Sequence, residues 1–199
     1  MSISNIDDIL SEIDITSLPY DVFFGNIMYE PGATYGARIQ EYLQIVSIRS
    51  GEATVYINDC ENYLGQGEVA LLKPGPKEYF EFAKTVKTYH SWCHLRWTLP
   101  RSLTPLIEAL PFKVEISGRM ERLIDLGLSL QQDSNALSPL LSHLAAATFW
   151  EYVASSGLTG SFHQDAHLSD PVKRVQAYVG QYYYSDINLR QLSNIAFVT

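Results

Sequence analysis

The segment His90-Ser-Trp-Cys-His-Leu-Arg96 gathers two imidazoles, a thiol, an indole and a guanidinium in one short run. His90-x-x-Cys93-His94 spells part of a zinc site, in which nitrogen and sulfur donors must converge on one point. The run is rich in aromatic and apolar residues and predicts a strand, and a strand sends successive side chains to opposite faces. His90, Trp92, His94 and Arg96 therefore share one face, and Ser91, Cys93, Leu95 and Trp97 the other. Alternation holds Cys93 away from both histidines, and a second ligand pair at zinc spacing is missing. The reading is no metal, with His90 and His94 as hydrogen-bonding residues of a pocket or a core. No Ser-His-Asp order, glycine-rich phosphate loop or paired-carboxylate motif stands out, so no catalytic residue and no cofactor is assigned.

The elements that would position this run are short and regular. Tyr42 to Ile48, Ala53 to Ile57, Asn62 to Leu64, Glu68 to Leu72, Glu78 to Phe82 and Thr88 to Trp97 read as strands separated by turn residues. Asn58-Asp59 suits a tight hairpin, Gly67 a sharp corner, and Pro74-Gly75 a strand end where no ladder donor is needed. This pattern implies an antiparallel sandwich or barrel. After Pro111 the period changes. Gly118 to Gln131 places Met120, Leu123, Ile124 and Leu128 at helical spacing behind a Ser117 cap. Ser138-Pro139 opens a second helix, striped by Leu141, Leu144, Ala145, Thr148 and Tyr152 and stopped by Gly157. The fold class is mainly β with C-terminal α.

Composition bounds the function. The chain has 199 residues, 46% hydrophobic and 18% charged, which supports a sizeable core and excludes general disorder. Fourteen basic against 22 acidic residues give a net charge of -8, the wrong sign for a chain that coats nucleic acid or anionic lipid through its own field. The balance is uneven: residues 170–199 carry three bases and two acids, and the other 169 carry 11 and 20. Two cysteines do not make a disulfide framework and fit a reducing compartment. The N-terminus lacks a signal pattern, and no run is long and apolar enough to span a bilayer, so a cytoplasmic location is expected with no membrane partner.

Two stretches together resemble the arabinose-regulator (AraC-type) family of bacterial transcription factors. The first is Tyr42 to Gly51, then Gly67-Glu-Val-Ala-Leu-Leu-Lys-Pro-Gly75, then His90 to Leu95, which looks like the family's cupin-type effector-binding barrel. The second is Asp170 to Thr199, which looks like the opening of its DNA-binding half: a helix with Tyr182 and Tyr183, a short loop, and a Leu189-x-x-Leu192-Ser helix. The resemblance runs from about Phe23 to Thr199. It implies an N-terminal arm over 1–20, a cupin-like (jelly-roll) barrel over 21–112, a helical dimerisation region over 113–157, a linker over 158–169, and the start of a helix-turn-helix over 170–199. The chain would then end inside the helix-turn-helix, where Thr199 sits at the recognition-helix cap, so DNA would be a partner only of a longer protein.

The resemblance also assigns site residues. It turns the face bearing Trp92 into the barrel, where family sensors hold a small ligand. An indole beside polar groups suits a sugar, since its face packs on C–H groups while edge donors meet hydroxyls. Positions that approximately match the metal ligands of catalytic cupins read Arg38, Gln40 and Gln44, with Glu78 after the corner. A guanidinium and two amides form a poor metal shell. They favour a polar organic effector instead, with Tyr42 facing inward beside them, or else Arg38 and Glu78 pair with each other and close the barrel. The expected ligand-binding set is thus Trp92, His90, Arg38, Gln40, Tyr42, Gln44, Glu78 and His94. Leu141, Leu144, Ala145 and Thr148 would pair two subunits into a homodimer, or pack on their own barrel. The implied function is the effector-sensing and dimerisation part of a regulator, not an enzyme. A small cupin enzyme acting on a sugar-like substrate, and a ligand-free dimerisation module plugged by Trp92 and Phe80, are the alternatives.

Overall fold

The alternating runs form strands in the computed structural model, which describes residues 18–98, 103–133 and 138–158 with the single positions 175, 190 and 191. The expected linker and helix-turn-helix start, and nearly all of the expected arm, lie outside the described residues. The chain divides into two units, Met1–Leu158 and Thr159–Thr199. The first contains everything that follows.

Nine strands are described: β1 (Asp21–Tyr29), β2 (Thr34–Ile39), β3 (Leu43–Ser50), β4 (Glu52–Ile57), β5 (Cys60–Gly65), β6 (Glu68–Leu72), β7 (Lys77–Phe82), β8 (Thr88–Arg96) and β9 (Lys113–Glu115). They form two antiparallel sheets, ordered β1-β8-β3-β6-β9 and β2-β7-β4-β5. Without the short β9, this four-plus-four order is the two-sheet jelly roll that cupins share. Asn58 and Asp59, both at positive φ, make the two-residue β4–β5 turn that the sequence signals. Three helices follow: α1 (Thr104–Ala109), α2 (Gly118–Asp133) and α3 (Ser138–Ser155). Ser117 Oγ accepts the Met120 N–H at 3.1 Å, which caps α2 as expected.

The five-stranded sheet is covered on both faces, which explains why Leu43 to Ile48 of β3 is buried at every position. Its inner face contributes Val46, Ile48, Ala70 and Leu72 to a core shared with Val55, Leu64, Phe80 and Phe82. Its outer face contributes Phe24, Ile45, Leu71, Cys93 and Leu95 to a second core with Met120 and Ile124 of α2 and Phe149 and Tyr152 of α3.

Two expectations change. Leu141, Leu144, Ala145 and Thr148 are buried within this chain, in the α3 layer over the sheet, so that stripe is already occupied and is not a surface offered to a second copy. Helical spacing identifies an apolar face but not its partner. The barrel does not end at 112, because β9 adds to the edge of β6 with Val69 opposite Val114. Strands β1 and β2 and helix α1, like β9, are elements not expected individually from the sequence.

Helix α2 approaches β1 so closely that a Cβ at Gly127 would overlap the Phe24 ring. Gly127→Val should therefore destabilise the fold by about 1–3 kcal/mol through overpacking, despite valine's better helix propensity. A urea midpoint that does not fall, at unchanged m-value, would refute this packing.

Candidate functional site

Alternation and register place the candidate residues in rows across the inner face of the five-stranded sheet. Phe23 of β1 lies opposite His94 of β8, which lies opposite Gln44 of β3. In the next row Gly25 faces Trp92, which faces Val46. In the third, Ile27 faces His90, which faces Ile48. Cys93 points the other way, into the helix layer. Over these rows, between the two sheets, lies a cavity of about 430 Å³, walled on the far side by Tyr35 and Arg38 of β2 and Phe80 of β7.

Seven of the eight expected residues line this one cavity: Arg38, Gln40, Tyr42, Gln44, His90, Trp92 and His94. Glu78 does not. It is buried on β7 directly opposite Arg38 in the β2–β7 ladder, and its Oε1 accepts from Arg38 Nε at 2.6 Å and lies 2.5 Å from Nη2. Arg38 also donates through Nη2 to Gln44 Oε1 at 2.5 Å and through Nη1 to the Tyr35 hydroxyl at 3.2 Å. Gln40 Nε2 donates to the Tyr42 carbonyl at 2.7 Å and to Gln44 Oε1 at 3.2 Å. One carboxylate, one guanidinium and two amides are thus linked in a hydrogen-bonded chain at one end of the cavity. Tyr42 sits under the Arg96 guanidinium, 4.3 Å from ring centre to Cζ, and its hydroxyl accepts an Arg96 hydrogen bond.

The other end is aromatic. The His90 ring is packed 5.3 Å from Trp92, 5.8 Å from Tyr29 and 5.9 Å from Phe80 between ring centres. Both of its nitrogens are buried and unpartnered. Burial, assisted by the Arg38 charge, pushes the His90 pKa down to about 3, so the ring is neutral. Each unsatisfied buried group of this kind costs about 1–3 kcal/mol. His94 is also held below the ordinary histidine value, chiefly by burial. The Trp92 indole packs against Gly25, where a Cβ would overlap it.

Phe23, Ile27, Tyr29 and Tyr35 also line the cavity and were not assigned from sequence. Phe23, Gly25, Ile27 and Tyr29 recur at period two, but Val22, Phe24 and Met28 of the other parity are equally apolar, so the sequence does not mark which face meets the cavity. No group of three or more His, Cys, Asp and Glu side chains suited to a metal occurs among the described residues. In the cavity, the two histidines are accompanied by amides and a guanidinium rather than carboxylates or thiolates, a donor set that does not fit a transition metal.

No family model and no curated protein sequence matches the chain. Among solved structures it is similar to an RmlC-like cupin from Shewanella frigidimarina, at 13% identity and TM-score 0.35 over 38% of this chain and 67% of that one. It is similar to the cupin domain of Schizosaccharomyces pombe Cnp3, at 14% and 0.37 over 39% and 54%. KdgF from Halomonas sp. is similar at 14% and 0.35 over 40% and 73%. The chain thus spans only about half to three quarters of these neighbours, and the jelly-roll assignment stands on the strand order itself.

Burial raises the Glu78 pKa above the ordinary carboxylate range, and Arg38 opposes that rise. Arg38→Met should leave a buried unpaired carboxylate and cost about 3 kcal/mol at pH 8. Without Arg38 the folded-state pKa rises further while the unfolded value stays ordinary, so the folded state retains the proton longer. The deficit should therefore be small near pH 4 and grow as pH rises through that window, and Glu78→Gln in the same chain should recover most of it. A pH-independent deficit in urea titrations would show that the pair is not what Arg38 supports.

Proposed function

We propose that this chain is the effector-sensing and dimerisation part of an AraC-type transcription regulator, holding a small organic effector inside its jelly roll. The observation that carries the sensing role is the 430 Å³ cavity lined by seven residues of the expected ligand-binding set. A space of that size, with a few polar groups converging in an aromatic setting, is what a small-molecule site requires. It also weighs against a barrel plugged by Trp92 and Phe80, since both side chains line the space rather than fill it. The donor set argues against a metal-dependent cupin enzyme. The regulator reading takes residues 170–199 as the start of a DNA-binding half, on the resemblance of the sequence. With the Leu141 stripe occupied, a homodimer would form through other surfaces, such as exposed Leu140 on α3.

A thermal-shift screen of small organic compounds on the 199-residue chain tests the sensing role. A true effector present at a hundredfold excess over Kd stabilises by about 2.7 kcal/mol, which raises Tm by several degrees for a domain of this size. Trp92→Ala and Arg38→Ala should each abolish the rise. Sedimentation with and without the hit should show a dimer whose stability responds to it. A tightly held equivalent of transition metal in the purified protein would favour the enzyme instead.

A further inference from the structure

The two sheets end on β1, β9, β2 and β5, and an edge strand presents a row of backbone groups with which another chain can pair. Three of these edges are guarded. β9 is three residues long and carries Lys113 and Glu115, with Lys113 held by Glu68 at 2.8 Å. β5 carries Glu61 in an exposed position. β2 shifts register between Gly36 and Arg38, which interrupts its ladder. Short length, charge and irregularity are the devices by which edges avoid other chains. β1 has none of them. It runs nine residues in unbroken register with β8, and from Val22 to Tyr29 it carries neither a charge nor a proline.

Backbone groups alternate in direction along a strand. The Phe24 N–H points off the sheet and donates to Gln131 Oε1 of α2 at 3.2 Å. Asn26 and Met28 share its parity, so their N–H and C=O groups also turn off the sheet, where they find no partner among the described residues. Asn26, Ile27 and Met28 are exposed in succession, on both faces of the strand. The bare stretch is therefore the half of β1 beyond the Gln131 cap, with two large apolar side chains on it.

Charge indicates what covers it. With a net charge of -8, two copies of this chain repel except where they meet through uncharged surface, and β1 is such a surface. Of the flanking acids, Glu30 is matched by Lys87 at 2.6 Å. The stretch is also self-complementary. When two copies pair antiparallel with Ile27 on the twofold axis, Asn26 of each exchanges both backbone bonds with Met28 of the other. Ile27 then meets its own equivalent, and no like charges stand opposite each other.

Resting on the dimerisation part of the reading above, we infer that a second copy of this chain docks on β1, the two strands pairing antiparallel about Ile27 and joining the two five-stranded sheets into one. The interface then lies on this strand edge rather than on α3. Phe23 and Ile27 also line the cavity, so the dimer contact and the ligand space share side chains.

Sedimentation velocity of the full chain over about 1–100 µM tests this, a range in which modest interfaces dissociate. The wild type should dimerise. Met28→Lys puts a charge on the bare edge and lies off the cavity, so it should weaken the dimer by about tenfold or more. Its urea midpoint should hold, because the Met28 side chain is exposed. Asn26→Lys is the second variant should Met28→Lys lose its cooperative transition. Leu140→Lys should leave the dimer unchanged. Ile27→Cys in a Cys60→Ser background should give a disulfide-linked dimer with diamide, since facing Cα atoms about 4.5 Å apart lie within disulfide reach. Leu140→Cys in the same background should not. A dimer untouched by Met28→Lys, or lost in Leu140→Lys, would overturn the β1 interface and leave dimerisation itself standing. A monomer at every concentration would overturn both, and the thermal-shift screen decides separately whether the cavity senses anything. A monomer whose Asn26 and Met28 amides resist hydrogen exchange would overturn the second copy in favour of the chain's own N-terminal segment as the occupant of β1.

Discussion

From His90 to Leu95 of strand β8, rings on the inner face alternate with small or aliphatic side chains on the outer face, and both faces are covered. His90, Trp92 and His94 look into the cavity, while Cys93 and Leu95 are buried among the side chains of the helix layer. A slip of one residue would exchange the two sets. It would drive imidazoles into a layer with nothing to bond them and place a thiol and an aliphatic chain against the polar network. Register in β8 is therefore fixed from two sides at once, by pairing with β1 and with β3 and by the unlike chemistry of the spaces it separates. Every other feature of the site inherits this choice.

The polar end of the cavity has its own constraint. Glu78 is buried deeply enough that its carboxylate must be paired, and Arg38 sits opposite it because β2 shifts register between Gly36 and Arg38. That pairing converts a positively charged wall into a neutral one. It also fixes Gln44, whose Oε1 takes hydrogen bonds from both Arg38 and Gln40 and whose amide nitrogen is thereby turned to a defined side. The same two charges that close the strands thus determine what kind of molecule the space can accept.

The sequence disclosed the alternation of β8 because its residue types contrast sharply at period two. It disclosed both long helices because Ser117 and Ser138-Pro139 mark their starts. Edge strand β1 was harder to see. Its cavity-facing residues Phe23 and Ile27 are each 41% exposed and Met28, of the other parity, is 50% exposed, so no clean apolar–polar alternation marks a face. In β2, Pro31-Gly32 and Gly36 interrupt the pattern. The parity of Glu78 was legible, but whether it bonds a ligand or Arg38 depends on a register shift that residue types do not encode. The α3 stripe shows the same limit: a buried face reads identically whether its cover is another subunit or the chain's own sheet.

Two close approaches on β1 tie these levels together. Gly25 takes the Trp92 ring on the inner face, and its neighbour Phe24 is seated against Gly127 of α2 on the outer face. Strand β1 is an edge strand, paired among the described residues with β8, and its Phe24 N–H also donates to Gln131 Oε1 of α2 at 3.2 Å. Any displacement of the Trp92 ring is therefore felt by a strand that also carries the seat of α2. A second link joins the layers at the surface, where Arg49 of β3 bonds Glu121 and Asp125 of α2 at 2.7 and 2.6 Å. Exposed ion pairs of that kind are worth about 0–1 kcal/mol each, so they orient the helix rather than hold it. The cavity floor and the helix layer are thus separated by the thickness of a single strand. An occupant can bias the helices only to the extent that it binds two settings of that strand with different affinity.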